Sequence, residues 1–230
     1  MNGVMFGNKH SYRDFGLILS SKVINLPKVQ TNRIIVPFRD GSIDLMSAVS
    51  DTPKYEDRTI QITFTFMDSV NKWSAKISEI ENYLHGHRMK IIFDDDAAFY
   101  YEGNVEVNEW RSSKNIGTLV IECIASPYKY DICSSADDWE WDFFDFENGI
   151  INETKDVKVN GATKVNLICR KKNIITFDAS DAMVLIYDNK SFDLRKGKQK
   201  IYDLFLNEGE NELVFRGDGT VTVDYIGGSL

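Results

Sequence analysis

The chain has 230 residues, 27 Lys+Arg against 35 Asp+Glu for a formal net charge of -8, and 43% hydrophobic residues. That length allows one large or two ordinary domains, each with a core of its own. The negative balance argues against a general binder of nucleic acid or of anionic membranes, because both need a basic surface.

The charge is unevenly shared: residues 1–133 hold 15 basic and 17 acidic side chains, residues 134–230 hold 12 and 18. The cysteines Cys123, Cys133 and Cys169 have no C-x-x-C spacing, and Cys123 lies in the apolar run 119–124 as a buried thiol would. The first residues lack the apolar core of a signal peptide, and no apolar run reaches membrane-spanning length. Synthesis in the cytoplasm without membrane association is the expectation.

From the N-terminus, Phe6-Gly7-Asn8-Lys9 reads as a turn and residues 14–19 as the start of a strand. Arg33–Phe38 is a strand whose Pro37 marks an edge or the end of pairing. Asp40-Gly41 turns the chain into the alternating Ser42-Ile43-Asp44-Leu45. Residues 46–58 show no period and read as a long loop. Residues 60–66, Ile-Gln-Ile-Thr-Phe-Thr-Phe, are apolar at every second position, the period of a half-buried strand. Trp73, Ile77, Ile80 and Leu84 then fall at helical spacing behind Asp68-Ser69, predicting a helix over about 69–85 that Gly86 ends. Strands follow at 90–93 and 99–101 around the turn Asp94-Asp95-Asp96, and at 104–110 and 118–125.

A division at about 127–137 separates domains predicted at 1–133 and 134–230. The second half shows strands at 139–146, 157–159, 164–169, 174–177, 183–187, 191–194, 200–205, 211–215 and 220–225. Turns at Asn148-Gly149, Asn160-Gly161, Asp188-Asn189, Lys196-Gly197 and Gly217-Asp218-Gly219 punctuate them, which predicts an antiparallel β-sandwich.

Few residues invite chemistry. Asp94-Asp95-Asp96 would suit a hard cation, but consecutive turn residues point apart and a solvated turn explains them as well. His85-Gly86-His87 straddles a helix end instead of sharing a face, and a histidine there complements the helix dipole. No nucleophile elbow, phosphate loop or Cys–His pairing occurs, so no catalytic residue, cofactor or metal ligand is expected. The strand 139–146 alternates aromatics and acids; Trp139, Trp141 and Phe143 could stack on sugars, but the aromatic inner face of a sandwich strand, or interdomain packing, is the favoured reading because aromatics dominate core burial.

Taken in order, Phe6-Gly7-Asn8-Lys9-His10-Ser11, Asp14-Phe15-Gly16-Leu17, Ile35-Val36-Pro37-Phe38-Arg39-Asp40-Gly41, Tyr55-Glu56-Asp57-Arg58, Tyr83-Leu84-His85-Gly86, Phe93-Asp94-Asp95-Asp96 with Tyr100-Tyr101, Ala125-Ser126-Pro127-Tyr128-Lys129 and the ending Val223–Leu230 form a pattern. It resembles the distal tail proteins of long, flexible-tailed phages of Gram-positive bacteria or their prophages. The resemblance covers about 1–130 well and the rest mainly through its last residues and its all-β pattern. It implies a mainly β protein: an N-terminal ring-forming domain with one helix, and a C-terminal galectin-like antiparallel β-sandwich. It implies a non-enzymatic virion component at the tail tip or baseplate. A homo-hexameric ring would join the major tail protein and tape-measure protein to tail-associated or receptor-binding proteins. Larger members carry inserted carbohydrate-binding modules, which this chain is too short to hold. The loop 46–58 is the candidate arm toward a neighbouring copy, with Met46, Val49, Tyr55 and Arg58 as interface candidates. A carbohydrate-binding module using 139–146 is the alternative reading.

Overall fold

The computed structural model describes residues 2–46, 52–67, 73–113, 116–137 and 154–230. It is mainly antiparallel β and divides into two compact units. One comprises the chain up to Asp96 with Tyr100–Lys129, and the other Ala97–Phe99 with Tyr130–Ser229.

The first unit is organised by the alternation at 60–66. That run lies in the long strand β6 (Arg58–Met67), which follows β1 (Val4–Phe6), β2 (Lys9–His10), β3 (Ile18–Ile24), β4 (Arg33–Ile35) and β5 (Ser42–Asp44) in the chain. After them come helix α1 (Trp73–Leu84), β7 (His87–Phe93), β8 (Phe99–Ser113), β9 (Ile116–Ala125) and the short β10 (Lys129–Asp131). The sheet runs β2-β1-β7-β8-β9-β6-β3, so β1 pairs with a strand more than eighty residues on, Val4 opposite Phe93. Period two puts Ile60, Ile62, Phe64 and Phe66 of β6 on the core side. The register sets Ile60 opposite Cys123, Ile62 opposite Ile121 and Phe64 opposite Leu119, which are all buried.

Helix α1 covers this face with the residues its spacing predicts: Trp73, Ile77, Ile80 and Leu84 are buried. Trp73 meets Phe66 edge-on with ring centroids 5.4 Å apart, and the Tyr83 hydroxyl donates to the Phe6 carbonyl at 2.9 Å. The helix stops at Gly86 (φ 78), whose N–H turns to the Val105 carbonyl. Gly117 has no room for a side chain, since a Cβ there would lie 2.3 Å from the Phe66 ring.

The second unit contains β11 (Val157–Cys169), β12 (Asn173–Ala179), β13 (Met183–Tyr187), β14 (Lys190–Leu194), β15 (Gly197–Leu206) and β16 (Gly209–Asp224). Their order is β14-β13-β16-β12-β15, with β11 along β16. Leu167, Phe177, Leu185, Leu213, Phe215 and Val223 are fully buried, and Phe177 packs edge-on against Phe215.

Two expected turns are not turns. Asn160-Gly161 and Gly217-Asp218-Gly219 lie inside β11 and β16, facing each other with Gly161 opposite Gly217. Both glycines take the left-handed backbone (φ 68 and 140) while the pairing continues past them. A glycine with positive φ marks a bend in a strand as readily as a chain reversal. The expected strand 139–146 and the turn at 148–149 lie outside the described residues.

Candidate interaction surface

The acidic turn is fully committed to structure. Asp94 Oδ2 accepts the Gly3 N–H at 2.7 Å and lies 3.1 Å from His10 Nε2. Asp95 pairs with Lys22 at 2.6 Å, and Asp96 with Lys129 at 2.9 Å. Three carboxylates in succession thus hold three different parts of the chain, pointing apart as turn residues must. His10 is buried, and its Nδ1 accepts from the N–H groups of Tyr12 and Arg13, so its proton belongs on Nε2, facing Asp94. His85 Nδ1 accepts the Val107 N–H beyond the helix end. Among the described residues no three His, Cys, Asp or Glu converge as metal ligands.

Two of the three thiols are buried. Burial pushes the Cys123 thiol up to about 12 and raises that of Cys169. None of the three cysteines forms a disulfide.

The residues expected to reach a neighbour separate into two kinds. Arg58 turns inward: it is 3% exposed, its guanidinium donates to the Pro127 carbonyl, and it stacks 5.3 Å from the Tyr101 ring centroid. Desolvation pulls its pKa down and raises that of Tyr101. The Arg58 Nε has no hydrogen-bond partner among the described residues. Tyr55 is half-buried, edge-on to Tyr128 at 6.0 Å. Met46 is half-buried, its N–H held by Asp44 Oδ1. Val49, and the sugar-stacking candidates Trp139, Trp141 and Phe143, lie outside the described residues.

The surface that stands out lies just upstream of that loop. After β3 the chain runs antiparallel to 54–59: the Gln30 N–H meets the Lys54 carbonyl at 2.7 Å, and the Glu56 N–H meets the Lys28 carbonyl at 2.8 Å. It then forms a separate two-stranded ribbon, with Arg33 opposite Asp44, Ile34 opposite Ile43 and Ile35 opposite Ser42. Asp44 Oδ1 fixes the ribbon's base by accepting the Asn32 N–H. Phe38 at the tip has φ 61, unusual for a residue with a Cβ, and its ring is fully exposed. Ile35 is 81% and Leu26 80% exposed, with Val29, Ile34 and Val36 also in solvent.

An isolated two-stranded ribbon is marginal in water, because it can bury no face of its own. This one carries apolar side chains on both faces. Single exposed apolar residues are ordinary; several of them close together in the chain are less so. The signal was present in the sequence as Ile34-Ile35-Val36. Three consecutive apolar residues in a strand must point to both sides, and an edge ribbon can bury at most one.

No family model and no curated protein matches the sequence. Among solved structures, the chain is similar over 100% of its length to SPP1 Dit (gp 19.1), at 12% identity, with a TM-score of 0.67 and 100% of that chain covered. That protein is described as a paradigm of the hub adsorption apparatus in phages infecting Gram-positive bacteria. Both units and the exposed ribbon therefore belong to a chain with the fold of a phage distal tail, or hub, protein.

Proposed function

We propose that this protein is a non-enzymatic virion component of a siphovirus-type tail tip, in which six copies close into a ring. The ring joins the major tail protein and tape-measure protein on one side to tail-associated or receptor-binding proteins on the other. The observation carrying the proposal is the apolar ribbon 33–44, which pairs with no other described strand and keeps Ile35 and Phe38 exposed. A closed ring uses a heterologous interface, one surface of each copy meeting a different surface of the next. A projecting ribbon with hydrophobic faces suits the first of those two surfaces. The hub fold supplies the context, and assembly geometry requires no catalytic set.

The test is the solution mass of the purified chain by size-exclusion chromatography with light scattering, together with negative-stain images. The expected species is a ring of six. A monomer persisting at high micromolar concentration, with no rings in the images, would overturn the assignment.

A further inference from the structure

The second unit holds a cleft that the hub role does not use. It measures ≈ 380 Å³ and lies between the β13–β14 turn and the β15–β16 turn, floored by Ile186 and Val214. Small-molecule clefts run from roughly 300 to 1,000 Å³, so it lies at the small end of that range.

Its inner wall is rigid. Asn211 is 3% exposed, and its side chain is satisfied on every side: Oδ1 accepts from the Tyr187 hydroxyl at 2.6 Å and the Asn207 N–H at 2.8 Å. Its Nδ2 donates to the Asn207 and Gly209 carbonyls at 2.9 and 3.0 Å. Asn207 Nδ2 in turn reaches the Tyr187 hydroxyl at 3.2 Å. Burial raises the Tyr187 pKa, which keeps that hydroxyl a donor. Opposite, Asp188 and Asn189 both take positive φ (49 and 58), a tight turn that presents their side chains at the rim.

The chemistry of the lining selects among ligands. Rim carboxylates of Asp188 and Glu210 oppose phosphate and other anions. The polar share of the wall disfavours a purely apolar guest, and no trio of metal-ligating side chains converges among the described residues. Amides offer both donors and acceptors, and carboxylates accept, which together match vicinal hydroxyl groups. We infer that this cleft is a binding site for a neutral polyol, one or two sugar residues in size, with Asn189 and Glu210 making the selective hydrogen bonds. The inference stands apart from the hub reading, because ring formation enters neither arm of its test.

The test is saturation-transfer NMR on the full chain with D-glucose, N-acetylglucosamine and glycerol 1-phosphate as probes. The expected result is transfer to at least one hexose with millimolar affinity, and none to glycerol 1-phosphate. Asn189→Gly, which the positive φ at 189 tolerates, combined with Glu210→Ala, both at exposed positions, should weaken hexose binding about tenfold at an essentially unchanged melting temperature. Glu210→Gln, which keeps an acceptor, should retain most of it. Silence from both hexoses, transfer unchanged in the double variant, or preference for the phosphate would each overturn the inference.

Discussion

Ile35→Asp combined with Phe38→Asp is the sharpest perturbation of the proposed ring interface. Both side chains are exposed in the protomer, so the change removes little from the folded state. Surface substitutions of this kind usually move stability by no more than about 0.5 kcal/mol. In the ring, burying an isoleucine or a phenylalanine contributes about 1.5–3 kcal/mol each. Losing both removes about 3–6 kcal/mol per interface, which is about 10²–10⁴-fold in affinity. The carboxylates add a desolvation penalty in the same direction. The assay is mass against concentration by light scattering, with thermal unfolding alongside. Protomers with a native melting curve and no ring are the expected result. Full-size rings from the double variant, at the concentrations that assemble the wild type, would show that the ribbon is not the contact.

Three further predictions concern the protomer itself. Asp94→Ala leaves the Gly3 N–H and His10 Nε2 without their acceptor; chemical denaturation should show a loss of about 1–3 kcal/mol, whereas an unchanged midpoint would make the contacts incidental. Gly117→Ala drives a methyl into the Phe66 ring and should cost about 1–3 kcal/mol by the same measurement. Thiol labelling of the folded chain at pH 8 should modify half-buried Cys133 first, with Cys123 and Cys169 reacting only on unfolding. The folded Cys123 thiol keeps its proton up to about 12, against 9.0 for the free group. Its contribution to stability is therefore complete below pH 9 and declines as pH rises from there toward 12; a pH titration of the unfolding midpoint reads this directly in comparison with Cys123→Ala.

The first unit was legible wherever a single physical rule governs a run of residues. Period two at 60–66 and period 3.6 from Trp73 to Leu84 place the same residues in the core that the structure buries. The short strands β1 and β2 escaped, because three and two residues are too few to show a period. In the second unit, positive-φ glycines look alike in sequence whether they reverse a strand or bend it, so two long strands were read as four. Arg58 was assigned outward on residue type alone. Its inward course depends on Pro127 and Tyr101, both more than forty positions away. The ribbon's strands and turn were readable, but its exposure was not, since whether an apolar residue is covered is a property of the rest of the fold. The polar cleft left no trace at all: it exists only where two turns, about twenty residues apart in the chain, come together.

The strand order also sets a timetable. β1 is made some eighty residues before its partner β7, and β6 must wait for β9. In the second unit β11 pairs along its whole length with β16, and the Asp131 N–H is closed by the Gly227 carbonyl three residues from the end. Such non-local pairing slows folding, since distant segments must meet before any contact is gained. The apolar ribbon keeps Ile35 and Phe38 exposed in the finished protomer. In the proposed ring that exposure ends when another copy arrives, which would make rapid, concentrated synthesis a protection against aggregation as much as a route to assembly.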